Sequence, residues 1–150
     1  MTVNPTEPPA ILLFDEDCGF CRWSLAKLLA WDRRRALRPL AIQSEEGRRL
    51  LAGTNEEERM GSWHLISDGR RYSAGAAFAP LLRLLPGGAP PARLAETAPG
   101  ATERAYRFVA DHRSTFGRLI PAAAKRRADR RISRRTDARA GGPEARAPAG

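Results

Sequence analysis

The sequence predicts an α/β domain in three layers, a central mixed sheet of about four strands flanked by helices. Three observations carry this. Ile11-Leu12-Leu13-Phe14 is a continuous apolar run of strand length, followed within a few residues by helical periodicity. A second strand-like run, Leu37 to Ile42, comes soon after that helix. Finally, Asp68-Gly69 sits between Trp63–Ile66 and Arg70–Ser73, the signature of a tight hairpin.

The elements follow in chain order. Residues 1–9 hold three prolines and read as a flexible leader. After the first strand, Cys21, Leu25, Leu28 and Leu29 recur at i, i+4, i+7 and i+8, one face of a helix. That helix closes on Asp32 and Arg33-Arg34-Arg35, whose charges suit its C-terminal end. Pro39 marks the second strand as an edge or an irregularity. Ser44 caps a short helix with Glu45 and Glu46 in its first turn, and Gly53 ends it. Thr54-Asn55-Glu56-Glu57 has capping-box spacing and starts one further turn.

After the hairpin, Phe78, Leu81, Leu82 and Leu85 mark a helix, with Pro80 in its first turn and Pro86-Gly87-Gly88 beyond its end. Residues 86–100 read as a Pro/Gly/Ala-rich connection with at most a short turn around Arg93-Leu94. Thr102 caps a last helix in which Ala105, Tyr106, Val109 and Arg113 line up, and Phe116, Leu119 and Ile120 pack a short final one. Beyond Pro121 hydrophobicity collapses, since Ile132 is the one large aliphatic, so 121–150 is expected to be disordered or at best a transient basic helix. The expected organisation is a leader 1–9, a domain 10–120 and an Arg/Ala-rich tail 121–150. The first three strands are expected to be central, with helices on both faces. The order β-α-β-α, hairpin, helix is a thioredoxin-like arrangement.

Chemistry concentrates where the first strand turns into the first helix. Cys18-Gly19-Phe20-Cys21 puts Cys18 near the N-cap and Cys21 one turn in. Unpaired backbone N–H groups and the positive end of the helix dipole favour a thiolate there, and the thiolate is the reactive form of cysteine. Cys21 shares its face with leucines and is expected to be buried, with Cys18 exposed. An accessible and a shielded sulfur within disulfide reach suit a redox couple in which Cys18 attacks and Cys21 resolves. Asp15, Glu16 and Asp17 disfavour the thiolate and Arg22 partly offsets them, which points to a weak oxidant or a reductant. Asp15 is the candidate proton acceptor for Cys21. Gly19 and Phe20 are candidate substrate contacts, Phe20 as an apolar lip.

Asp15-x-x-Cys18-x-x-Cys21 directly after an apolar strand resembles the DCC family, thioredoxin-like proteins named for that Asp, Cys and Cys and described as thiol–disulfide oxidoreductases. The blocks LRPLAIQSEEGRRLL, SWHLISDGRRYSAGAAF and YRFVADHR stand in the order and at the approximate spacing of that family. The resemblance runs roughly from Ile11 to Ile120. It implies a thioredoxin-like fold and dithiol–disulfide exchange. One departure is plain: where thioredoxins place a cis-proline before the third strand, this chain has Met60-Gly61-Ser62, so substrate docks differently or exchange with proteins is poor.

Composition bounds the rest. With 150 residues, 42% of them hydrophobic, the chain suits one domain with a core. No apolar stretch approaches the ~20 residues of a membrane span, and the N-terminus lacks the pattern of a secretory signal. A cytoplasmic location is the expectation, and two cysteines in a reducing compartment read as redox or metal ligands rather than a staple. A Cys2His2 zinc site with His64 and His112 has the wrong spacing, so no metal and no cofactor is expected. Neither histidine is expected to be catalytic.

The net charge of +9 lies mainly in the tail, and 24 of the 26 basic residues are Arg. KRRADRRISRR, Lys125 to Arg135, contains no aromatic residue, so any nucleic-acid binding would be nonspecific. The expected partner is a disulfide or dithiol, protein or small thiol, with weak polyanion binding by the tail. The alternative is a redox-inactive interaction module working through the fold surface and that tail.

Overall fold

The computed structural model describes residues 8–140. Its elements are β1 (Ala10–Phe14), α1 (Gly19–Trp31), β2 (Leu37–Ala41), α2 (Glu45–Leu50), α3 (Glu56–Gly61), β3 (His64–Ser67), β4 (Arg70–Ser73), a 3₁₀ turn (Ala74–Ala77), α4 (Phe78–Leu84), α5 (Ala89–Thr97), α6 (Pro99–Asp111), α7 (Arg113–Leu119) and α8 (Ala122–Ala140). The strands lie in the order β2-β1-β3-β4, with β1 and β2 parallel and the other pairs antiparallel. This is the predicted thioredoxin-like α/β sheet flanked by helices.

The sheet forms where apolar runs meet turn chemistry. Asp68 and Gly69 both take positive φ, 52° and 71°, the conformation that a two-residue hairpin between β3 and β4 requires. β1 and β3 are the inner strands. β2 is an edge rather than a central strand, and Pro39 is tolerated there because its missing N–H faces no neighbouring strand. Leu12, Phe14 and Leu65 pack with Leu25, Leu29 and Leu81 on one face. Leu13 and Ile42 pack with Leu51 on the other.

Three expectations change. Residues 86–100 are not a plain connection: Ala89–Thr97 is helical, with prolines in the first turn, where no intrahelical N–H bond is lost. Thr102 lies inside α6, whose N-cap is Ala98, and its hydroxyl donates back to the Ala98 carbonyl at 3.1 Å. Asn55, not Thr54, caps α3, accepting the Glu58 N–H at 2.8 Å.

The largest change concerns the tail. Within 121–150, Ala122–Ala140 is one continuous helix packed along α1, not a disordered segment. Its contact face has few apolar groups: Ala128 is buried and Ile132 packs against the main core. Ion pairs supply the rest. Arg135 bonds Asp32 at 2.9 Å and donates to the Leu29 and Asp32 carbonyls, while Arg22 pairs with Asp129 at 2.8 Å. Asp32 is 1% exposed, and it also accepts the N–H groups of Ala36 and Leu37. Residues 1–7 of the leader and 141–150 of the tail lie outside the described residues.

Candidate functional site

The end of β1 delivers Asp15-Glu16-Asp17 into a tight loop. Asp15 Oδ1 accepts the Asp17 N–H at 3.0 Å, and the Asp15 carbonyl accepts the Cys18 N–H at 3.4 Å. Gln43, just after β2, braces this loop: its amide donates to Asp15 Oδ1 at 2.6 Å and accepts the Glu16 N–H at 3.3 Å. The Asp15 carboxylate is thereby engaged by an amide from the turn that follows the neighbouring strand.

Cys18 is the N-cap of α1, in extended conformation, and its Sγ accepts the Cys21 N–H at 3.2 Å. A sulfur thus takes the place of the oxygen that usually satisfies a helix's first N–H groups. The sulfurs of Cys18 and Cys21 are paired as a disulfide, with Cα atoms 5.2 Å apart, an ordinary separation for such a bond. Both cysteines are half-buried, so the expected contrast of an exposed Cys18 and a buried Cys21 is absent. The leucine face of α1 becomes buried only from Leu25 onward.

The C-terminal helices close over the motif. A Cβ placed on Gly19 would come 3.5 Å from Lys125 Cε and 3.7 Å from its Nζ, so the Lys125 side chain lies over that glycine. Gly117 of α7 leaves room for Phe20, whose ring also meets Phe116 at 5.7 Å between centroids. Arg22 does not stand free to offset the acidic loop: it is drawn to Asp129 and to the Glu16 carbonyl.

Along the other side of α1 runs a groove of about 630 Å³, walled by α1 and α6. Phe20, Cys21 and Asp15 line it, together with Trp63 and Tyr106. Trp63 and Tyr106 stack at 6.3 Å, and the Tyr106 hydroxyl accepts the Trp63 N–H at 3.2 Å. Burial raises the Tyr106 pKa above the ordinary phenol value, which keeps it neutral.

The histidines stand apart. His64 is buried, its Nε2–H donating to the Arg59 carbonyl at 3.1 Å and its Nδ1 accepting from Ser73 at 2.7 Å. Burial holds its pKa below the usual imidazole value. His112 is the exposed C-cap of α6. Among the described residues no group of three His, Cys, Asp or Glu side chains is placed to hold a metal ion, and no helix is long and apolar enough to cross a membrane. The same residues contain no cis peptide bond, and Ser62, the C-cap of α3, leads through Trp63 into β3.

Sequence reasoning missed Gln43, Lys125 and the groove's Trp63 and Tyr106. Gln43 lay inside the quoted block LRPLAIQSEEGRRLL, but its partners are 26 to 28 positions away. Lys125 had one signal, as one of only two lysines among 26 basic residues.

A parallel β1-α1-β2 unit joined to an antiparallel hairpin, with a dithiol at the strand-to-helix turn, defines a thioredoxin-like protein. A family model, the DCC1-like thiol-disulfide oxidoreductase family, matches residues 12–119, and the chain belongs to that family. Neither the curated proteins nor the solved structures contain a match to it. The family match ends before α8, so the helix that carries Lys125, Asp129 and Arg135 lies outside it.

Proposed function

We propose that this chain is a thiol–disulfide oxidoreductase of a reducing, cytoplasmic compartment, working through Cys18 and Cys21. The observation that carries the reading is the N-cap position of Cys18, whose sulfur holds the Cys21 N–H and pairs with the Cys21 sulfur. In the reduced protein that N–H and the helix terminus stabilise a Cys18 thiolate. The thiolate attacks a substrate disulfide and expels one substrate thiolate. Cys21 then attacks Cys18 Sγ, releasing the second substrate thiolate and restoring the protein disulfide. Asp15, fixed by Gln43, is the proton acceptor for Cys21. Gly19 and Phe20 are the substrate contacts, and both lie beneath the C-terminal helices, which narrows the approach to Cys18.

The test is a glutathione redox titration of the full chain, with the cysteine state read by alkylation and intact mass and Cys18→Ser as the control. A reversible two-electron transition between about −120 and −270 mV is expected. Absence of an intramolecular disulfide at every poise refutes the reading.

A second reading, a polyanion-binding module, draws on Arg126, Arg127, Arg130, Arg131 and Arg134, all exposed on α8. Deleting 121–150 would strip α8 from α1 and confound the two readings. The double variant Arg126→Glu/Arg130→Glu separates them: it abolishes salt-sensitive polyanion binding under the second reading and leaves the redox titration unchanged under the first.

A further inference from the structure

The α1–α6 groove is built unlike the rest of the surface. All three tryptophans of the chain, Trp23, Trp31 and Trp63, line it. From Cys21 to Trp31 it follows α1 for about 15 Å at 1.5 Å per residue. Of the two cysteines, Cys21 lines the groove and Cys18 does not. Its size suits a small ligand rather than a folded partner.

The chemistry of the walls selects among small thiols. Aromatic and aliphatic side chains offer almost no partner for polar groups, and stripping water from unpaired ones is costly. Two cations stand in the lining: Lys27, 5.3 Å over the Trp23 ring, and Arg113, which donates to the Met60 carbonyl at 3.2 Å. Asp15 is the one carboxylate there, and Gln43 engages it. An apolar chain with a single anionic end complements such a surface. Glutathione, with two carboxylates and an ammonium, does not.

We propose that this groove is the electron-donor site of the dithiol, binding a small dithiol on an apolar chain with an anionic end, which reduces the disulfide through Cys21. The inference rests on the exchange reading above and names the donor that it leaves open. A donor thiolate attacks Cys21 Sγ; the Cys18–Cys21 bond breaks and Cys18 leaves as a thiolate. That leaving group retains the Cys21 N–H bond and the helix terminus, so the easier departure is the one the groove enforces. The donor's second thiolate then attacks its own sulfur in the mixed disulfide, closing the donor's cyclic disulfide and releasing Cys21. Two electrons pass from donor to protein, and the donor's two thiol protons end on the cysteines or in solvent.

The experiment mixes the disulfide form of the full chain with dihydrolipoate or dithiothreitol and counts protein thiols by alkylation and intact mass. Dihydrolipoate is expected to reduce the protein with saturating kinetics and about tenfold faster than dithiothreitol at equal low concentration, a factor equivalent to about 1.4 kcal/mol. Octanoate, its sulfur-free analogue, should change tryptophan fluorescence and compete. Val109→Glu sets a carboxylate in the groove at a position 37% exposed, and should bring the dihydrolipoate-to-dithiothreitol ratio towards one. Equal, non-saturating rates, or octanoate that binds without slowing dihydrolipoate, overturn the donor site while leaving the exchange reading intact. If dithiothreitol also fails to reduce the protein, the exchange reading falls and the donor site with it.

Discussion

The two sides of α1 are held by different physics. Towards the sheet, Leu25 and Leu29 enter a continuous apolar core with Leu12, Leu65 and Leu81. Towards α8, contact rests on Ala128, Ile132 and two ion pairs, one of them buried at Asp32–Arg135. Apolar burial is non-directional and sums over many contacts. A buried ion pair contributes little net stability when intact, yet is strongly destabilising when one partner is lost. The same helix is therefore anchored by bulk on one side and by a few exact partners on the other.

Asp32→Ala should produce the largest effect, because that carboxylate serves both sides at once. It strands Arg135 and leaves the N–H groups of Ala36 and Leu37 without their acceptor. The expected loss is about 4 kcal/mol, read as a lower urea midpoint. Leu65→Ala, on the apolar side, should cost about 3 kcal/mol by opening a cavity in the core. Hydrogen exchange sharpens the contrast: after Leu65→Ala the whole fold exchanges faster together, whereas Asp32→Ala should free α8 ahead of the sheet. Uniform exchange in both variants would mean that α8 and the sheet form one cooperative unit and would break the comparison.

This difference also decided what could be read from the sequence. β1, α1 and the hairpin announce themselves by apolar periodicity and by Asp68-Gly69, and Arg70–Ser73 emerges with the expected bounds. α8 does not, since a count of large aliphatics finds only Ile132. Its docking stripe, Lys125, Ala128, Asp129, Ile132 and Arg135, does repeat at helical spacing, but it is mostly charged, and charge patterns with distant partners cannot be paired from one chain. α5 was hidden for another reason: Ala92 alone is buried while Leu94 is 71% exposed, so no apolar face is visible. In the site, the CxxC and Asp15 were legible because their neighbours are local. The brace from Gln43 and the wall of Trp63 and Tyr106 reach across the fold and left no local trace.

His64 offers a smaller test on the sheet side, a polar group held by neutral hydrogen bonds instead of an ion pair. Its folded pKa is lowered by burial, so below the unfolded value of about 6.5 the unfolded chain binds more protons than the folded one. Stability from this group is complete above that pH and is lost as the pH falls towards the folded pKa, with a slope of at most about 1.4 kcal/mol per pH unit. Urea midpoints at about pH 7.5 and 5.5 should therefore fall further in the wild type than in His64→Phe. An equal fall in both would assign the acid sensitivity to other groups.

The smallest expected effect asks whether α8 does more than hold on. Lys125 places a positive charge over Gly19, the residue next to Cys18 at the helix terminus, with Arg22 drawn away to Asp129. A unit charge at several Å in a water-like dielectric changes an ionisation equilibrium by about two- to threefold. Lys125→Gln should accordingly slow iodoacetamide alkylation of the reduced protein at pH 7 by about that factor. The difference should fade in about 0.5 M salt, where the screening length shrinks to a few Å. A purely structural role for Lys125 would give a change that salt does not remove, because packing is not screened. The salt dependence thus separates a helix that tunes the dithiol from one that only covers it.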